Sequence, residues 1–456
     1  MVLALLSFAL AGELLVQHAR VWDGTEAAPF GPVDLLVRDD VIIAIGQDLA
    51  AVDGATRLDA AGATLIPGLI DSHVHLSMDP GAGWREDSAA AREILLRAHL
   101  SAYLACGVTT VVDPGVLPAE SRRIQDILAA GVPGPRYLHT GPVFSPPGGY
   151  VAAVIPGFPS VATAEEVEAQ LDGLVRDGGI AAKTTVERGF FVPRYPLYDD
   201  AVFVAIRAGA AARGLPVWAH AVSPAEQRLA LDRLAPRVMV HAVERPDRAL
   251  IRRLVAEGVT SVSTLAAADA FSVALDLAGL DDPLLDRVVP AAELATARDP
   301  AVARGFLQRV ATDMLPGAPR WFGSPALLRP VLNAHARHAE AAIRALRDAG
   351  AGLVMGSDAG NWPMIPYLFH GPSSLHELDL LVAAGLSPRE ALTSATRSAA
   401  TMLALPRLGT LGPGQVADFV IVDGDPLTDL RALRRIRWTV RGGVAGTPEA
   451  WLATPE

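Results

Sequence analysis

Short apolar runs alternate with longer amphipathic stretches through the middle of the chain, the βαβα rhythm of a parallel sheet. Eight runs predict strands: Leu69–Leu76, Val108–Asp113, Arg136–Val143, Ala181–Glu187, Pro216–Val222, Arg237–Val243, Thr260–Leu265 and Leu353–Asp358. Between them, Asp87–Cys106, Ala164–Asp177 and Ala339–Ala349 carry helical spacing. Toward both ends the texture turns β-rich, in Leu14–Trp22 and Val33–Ile45 and again in Ala417–Val422 and Ile436–Val440. Turn residues punctuate these ends, at Asp23-Gly24, Asp39-Asp40 and Asp423-Gly424-Asp425-Pro426.

The pattern predicts an α/β fold, a (β/α)8 TIM-like barrel with a small β-sandwich domain built from both termini. An open doubly wound sheet stays the alternative, because counting strands does not establish closure. The expected division is a sandwich from residues 12–66 and 405–456 around a barrel at 67–404. The stretch Ala266–Pro330 is the longest insertion, between the seventh and eighth strands, and is expected to cover the active-site face.

Composition narrows the function classes. The 456 residues are 51% hydrophobic and 20% charged, which is the make-up of a well-buried globular chain. A formal charge of −11 argues against nucleic-acid and anionic-membrane binding, both of which need a basic surface. The single cysteine, Cys106, rules out an intrachain disulfide and a thiolate-rich metal site. No run of about 20 apolar residues predicts a spanning helix. Met1–Ala11 is apolar and ends in a small-x-small pattern without a basic segment before it. It reads as a signal remnant or as an ordinary start, with a cytoplasmic location slightly favoured and export as the alternative.

Of 39 basic residues only one, Lys183, is lysine. An amine can lose its proton where a guanidinium cannot, so the position of that lysine is informative. It falls on the fourth predicted strand. In Pro67-Gly68-Leu69-Ile70-Asp71-Ser72-His73-Val74-His75, the i, i+2 spacing on a strand turns His73 and His75 to one face. His220 and His241 end the fifth and sixth runs, and Asp358 ends the eighth. Any one of these is commoner as a satisfied core residue or a helix cap. Together they stand at strand ends, on the face where barrel active sites form. Imidazole and carboxylate are ligands for a divalent ion.

These residues resemble the amidohydrolase superfamily, in its imidazolonepropionase-like or prolidase-like branch. Pro67–His75 is similar to the family's first-strand motif, Gly356-Ser357-Asp358-Ala359-Gly360 to its eighth-strand aspartate, and His376–Thr396 to its helices after the barrel. The resemblance implies two divalent ions, zinc by default. One is held by His73, His75 and Asp358, the other by His220 and His241, with carboxylated Lys183 bridging them. It implies that Asp358 is the catalytic acid–base group of a binuclear amide hydrolase. A dipeptide or N-acyl amino acid is the first-choice substrate. It also implies a homo-oligomer with a small-molecule substrate.

Alternatives stay open. A lactonase or phosphotriesterase-like esterase uses the same chemistry. A mononuclear deaminase or cyclic-amide hydrolase shares His73, His75 and Asp358, although Ser223 stands where deaminases carry a glutamate. A scaffold that has lost its chemistry is disfavoured, because no ligand position is missing. Tyr150, Arg188, Asn361 and His370 are candidate substrate contacts, Tyr150 standing where many relatives carry histidine. His139 and Arg194 also lie near strand exits. His335 and His338 share a helix face that reads as solvated.

Overall fold

The structure, a computed structural model, describes residues 12–77, 89–155, 157–189, 192–317, 319–361 and 365–453. The apolar segment 1–11 lies outside the described residues. Strands near the N-terminus are β1 (Glu13–Val21), β2 (Phe30–Arg38), β3 (Val41–Gly46), β4 (Thr56–Asp59) and β5 (Thr64–Pro67). Through the middle run β6 (Leu69–Asp71), β7 (Val108–Asp113), β8 (Arg136–His139), β9 (Ala182–Thr185), β10 (Val217–His220), β11 (Val238–Met239), β12 (Thr260–Val262) and β13 (Gly352–Val354). The chain ends with β14 (Phe419–Val422), β15 (Ile436–Arg441) and β16 (Val444–Gly446).

The eight middle strands form two parallel arrays, β6-β7-β8 and β9 to β13. Parallel bridges Val74–Ala359 and Phe144–Thr184 span the two gaps between the arrays. All six residues of β7 are buried, as a strand covered on both faces requires. Seven of the eight runs read from the sequence contain one of these strands and the eighth overlaps β13, which begins one residue earlier; β7 fills its run, while the other ladders are shorter than theirs. The run Arg237–Val243, for example, pairs only at Val238–Met239. His73, His75, His241 and Asp358 stand beyond the ends of their ladders, while Lys183 and His220 lie on β9 and β10 themselves.

Helices return between the strands. Capping boxes at Thr163 with Glu166 and at Ser223 with Glu226 start the helices Ala164–Arg176 and Pro224–Leu234. The helix expected over Ala339–Ala349 is the C-terminal half of a longer one, Pro325–Asp348, which runs through Pro330. A proline reads as a break, yet near a helix N-terminus it forfeits only one backbone bond.

The two ends of the chain share one eight-stranded mixed sheet, in the order β16-β15-β14-β5-β1-β2-β3 with β4 on β1. C-terminal β14 lies antiparallel to N-terminal β5, pairing Phe419 with Pro67. One apolar cluster beside this sheet includes Leu14, Val16, Leu35, Leu65, Phe419 and Ile421. From β5 the chain passes into β6 at Gly68, where an added Cβ would overlap the Thr109 side chain.

Between β12 and β13 lie the helices Leu265–Asp276, Pro283–Val288, Ala291–Ala297, Pro300–Met314 and Pro325–Asp348. They pack a core of their own around Phe306, Leu307, Leu328 and Leu332. No helix among the described residues is long and apolar enough to cross a membrane.

Candidate metal centre

β6 ends at Asp71, and the next residues run extended beside the end of β13. Asp358 N–H donates to His73 O at 2.8 Å and His75 N–H to Ala359 O at 2.7 Å, which fixes the two segments together. Asp71 is the buried anchor beneath them. Its carboxylate accepts Ser357 Oγ at 2.6 Å, Ser374 Oγ at 2.7 Å, Ser357 N at 3.0 Å and His73 N at 3.2 Å. Burial pushes the Asp71 carboxyl up to about 6, against the pull of those donors. Gly356 permits the close approach, since a Cβ there would fall 2.8 Å from His73 Cβ.

Three side chains therefore converge. His73 Nε2 lies 3.3 Å from His75 Nε2, and Asp358 Oδ1 lies 3.2 Å and 3.1 Å from those two nitrogens. Asp358 sits in the left-handed backbone region at φ +58°, which a short polar residue tolerates. Its other oxygen, Oδ2, accepts Asn361 Nδ2 at 2.9 Å, leaving Oδ1 for the cluster.

His241 and His220 complete the group. The His73 and His241 rings are 4.9 Å apart, and those of His241 and His220 are 4.6 Å apart. Nδ1 of His73 lies 2.9 Å from Val240 O and Nδ1 of His241 lies 2.9 Å from Thr264 Oγ1. A backbone carbonyl can only accept, so His73 donates from Nδ1 and presents an unprotonated Nε2 to the cluster. Burial holds His73 and His241 well below the ordinary imidazole range and His220 down to about 3. Lys183 is buried, with Nζ 3.4 Å from Pro114 O as its one hydrogen bond among the described residues. Burial brings its amine down to about 8.

This donor set fits a divalent cation. Acceptor atoms of His73, His75 and Asp358 crowd within 4.8 Å of one another, in a group able to hold a metal ion. With Nε2 of His73 unprotonated, a cation between these atoms removes their mutual repulsion. Buried Asp358 Oδ1 has no hydrogen-bond partner among the described residues. Unpartnered buried polar atoms are rare enough to need a cause.

Two of the four candidate substrate contacts face the same cavity. Tyr150 stacks on His220 with ring centroids 5.2 Å apart, and Asn361 adjoins Asp358; both line it beside His73, His241 and Lys183. Arg188 instead lines a neighbouring cavity with Glu226 and His338, and His370 is buried against Tyr103 Oη at 2.8 Å. His139 is buried beside Asp177 O, and Arg194 pairs with Asp313 at 2.9 Å. His335 borders both cavities. Ser223 is the N-cap of the helix Pro224–Leu234.

Sequence reading passed over Asp113 and Glu187. Asp113 Oδ1 stands 3.8 Å from His75 Nδ1, and Glu187 Oε2 stands 3.5 Å from His220 Nε2. Burial pushes the Glu187 carboxyl up to about 7. A signal for it exists: Glu187 is four residues past Lys183 on the same predicted strand, an even spacing that shares a face.

Residues 64–448 match the family model described as the Amidohydrolase family. A dihydroorotase from Citrifermentans bemidjiense is 43% identical over 76 residues, 17% of this chain and 18% of that protein. The chain thus aligns with less than a fifth of that relative. Among solved structures, a Xaa-Pro dipeptidase with bound methionine superposes with a TM-score of 0.74 at 19% identity, over 96% of this chain and 100% of that one. A prolidase complexed with N-methylphosphonate-L-proline gives 0.73 at 21% identity, over 95% and 99%. At these identities the likeness is one of fold.

Proposed function

The chain belongs to the amidohydrolase family, and from that premise we propose that it is a metal-dependent hydrolase of the prolidase-like branch that cleaves an amide bond. The first-choice substrate is a dipeptide or an N-acyl amino acid. One observation carries the reading: Nε2 of His73, Nε2 of His75 and Oδ1 of Asp358 converge at 3.1–3.3 Å in a buried site. The parallel bridges across both gaps of the middle sheet support a closed (β/α)8 barrel with this site at its strand ends.

His73, His75 and Asp358 would hold one divalent ion and His220 and His241 a second, with Lys183, carboxylated on Nζ, between them. Zinc suits such ligands. Bound divalent ions supply Lewis acidity, which makes water nucleophilic at neutral pH and polarises the scissile carbonyl. Lys183 favours carboxylation because a buried amine that falls to about 8 carries a larger neutral fraction than an exposed one. His73 and His241 are fixed by their Nδ1 contacts before anything binds. Asp358 holds its Oδ1 free by engaging Asn361 through Oδ2, so Oδ1 can take the proton from water and return it to the leaving nitrogen.

The dihydroorotase likeness favours, as a second reading, hydrolysis of a cyclic amide at the same centre. Deamination is disfavoured, because Ser223 caps a helix where that chemistry uses a glutamate. The test is metal analysis of the purified protein, followed by assay of dipeptides, N-acyl amino acids and cyclic amides with and without added zinc or manganese. Metal-dependent release of an amino acid is expected. A protein that binds no metal and cleaves no amide contradicts the proposal.

A further inference from the structure

The cavity over the cluster encloses about 600 Å³, and its floor and walls differ in chemistry. His73, His220, His241 and Asp358 lie at its floor. On one side Tyr150, Ile155 and Phe158 belong to a small apolar cluster of their own. On the other side Phe271 and Phe306, with ring centroids 5.3 Å apart, come from the helices between β12 and β13. These are two separate apolar clusters that line a common space without merging into one core.

The charged groups that line the cavity away from the cluster are already engaged, Arg309 over the Phe306 ring at 5.7 Å. Asp313 pairs with Arg194 at 2.9 Å, and Glu244 lies 3.6 Å from Arg245. An apolar guest therefore removes its own surface and that of both walls from water and leaves no new buried charge unpaired. A small or charged group beside the scissile bond gains neither benefit.

We propose that the substrate carries a bulky aromatic or branched apolar group next to its scissile amide, seated between the Tyr150–Phe158 side and the Phe271–Phe306 side. The inference rests on the hydrolase reading of the same centre and specifies its substrate class. The reaction is hydrolysis alone: the C–N bond breaks, the water oxygen joins the acyl carbon, and a proton goes to the departing nitrogen.

Two measurements on the full chain separate this inference from the reading beneath it. In the first, neutral amides are titrated into metal-free protein. 2-Naphthamide is expected to bind at least about 30-fold more tightly than acetamide, the effect of a few buried carbons. Phe271→Ala and, on the facing wall, Ile155→Ala are each expected to weaken 2-naphthamide about 5-fold or more. In the second, zinc-loaded protein is assayed on N-acylglycines from acetyl to 2-naphthoyl and on N-acetyl amino acids from glycine to tryptophan. At least one series is expected to rise about 10-fold or more in kcat/KM with size, chiefly through KM. If no amide is cleaved but 2-naphthamide still binds preferentially, the hydrolase reading fails and the apolar site stands. Equal binding of the two amides, or turnover that is flat or favours the smallest groups in both series, overturns the inference.

Discussion

Glu187 Oε2 stands 3.5 Å from Nε2 of His220, and neither buried atom has a hydrogen-bond partner among the described residues. One proton between them satisfies both and fixes the ring, the role an outer carboxylate plays for a ligating histidine. Glu187→Ala is expected to weaken binding of the ion assigned to His220 by about 10–100-fold, with the other ion little affected. Chelator competition on the zinc-loaded protein measures this, and equal affinity at both sites in wild type and variant would sink the idea.

Among the described residues Lys183 makes no ion pair, and burial brings its amine down to about 8 against the pull of Asp358 and Asp113. Lys183→Arg keeps a positive charge and cannot be carboxylated, so it should retain one metal in place of two and lose activity by about 10²-fold or more. Lys183→Ala should regain part of that activity with added short-chain carboxylate. Full activity with two metals in Lys183→Arg would remove the bridging role.

The same lysine sets a pH dependence in protein free of metal and carbon dioxide. Its pKa is lowered by folding, from 10.5 to about 8, so the unfolded chain binds the proton more tightly. Stability therefore rises with pH from about 8 to about 10.5, by about 3 kcal/mol in total. Urea unfolding at several pH values, compared with Lys183→Met, isolates the effect. Parallel curves for the two proteins would contradict it.

Much of this arrangement was legible in the chain, and the remainder was hidden for identifiable reasons. Val108–Asp113 reads as a buried strand because six consecutive residues suit a ladder covered on both faces, and the ladder has those bounds. Thr56–Asp59 does not read as one, since its residues alternate weakly and pair with β1 only through contacts about forty residues away. The ligand-type residues stood out through residue type and equivalent placement at strand ends. Asp113 belongs to a common residue type and only folding brings it to His75, while Glu187, which meets His220, carried just its even spacing from Lys183 as a signal. Arg188 looked equivalent to Tyr150 in the sequence, yet the backbone after Glu187 turns it to a neighbouring cavity.

Asp71 joins the first and eighth strand ends and the helix Pro372–Ala383 through Ser357 and Ser374. Asp71→Ala leaves four donors without their acceptor in a buried site and should cost about 3–5 kcal/mol. Asp71→Asn keeps the shape and part of the bonding and should cost less. Chemical denaturation of the metal-free proteins compares them. A loss below about 1 kcal/mol for the alanine variant would show that the anchor is dispensable.

The most direct test of the whole account is the metal content of the full chain after zinc loading and desalting at neutral pH, set beside that of a variant carrying both His73→Ala and Asp358→Ala. Two ions per chain in the wild type, about one in the variant and no amide hydrolysis by the variant are the predicted results. A wild-type chain that retains no metal, or a variant that retains two and stays active, would contradict it.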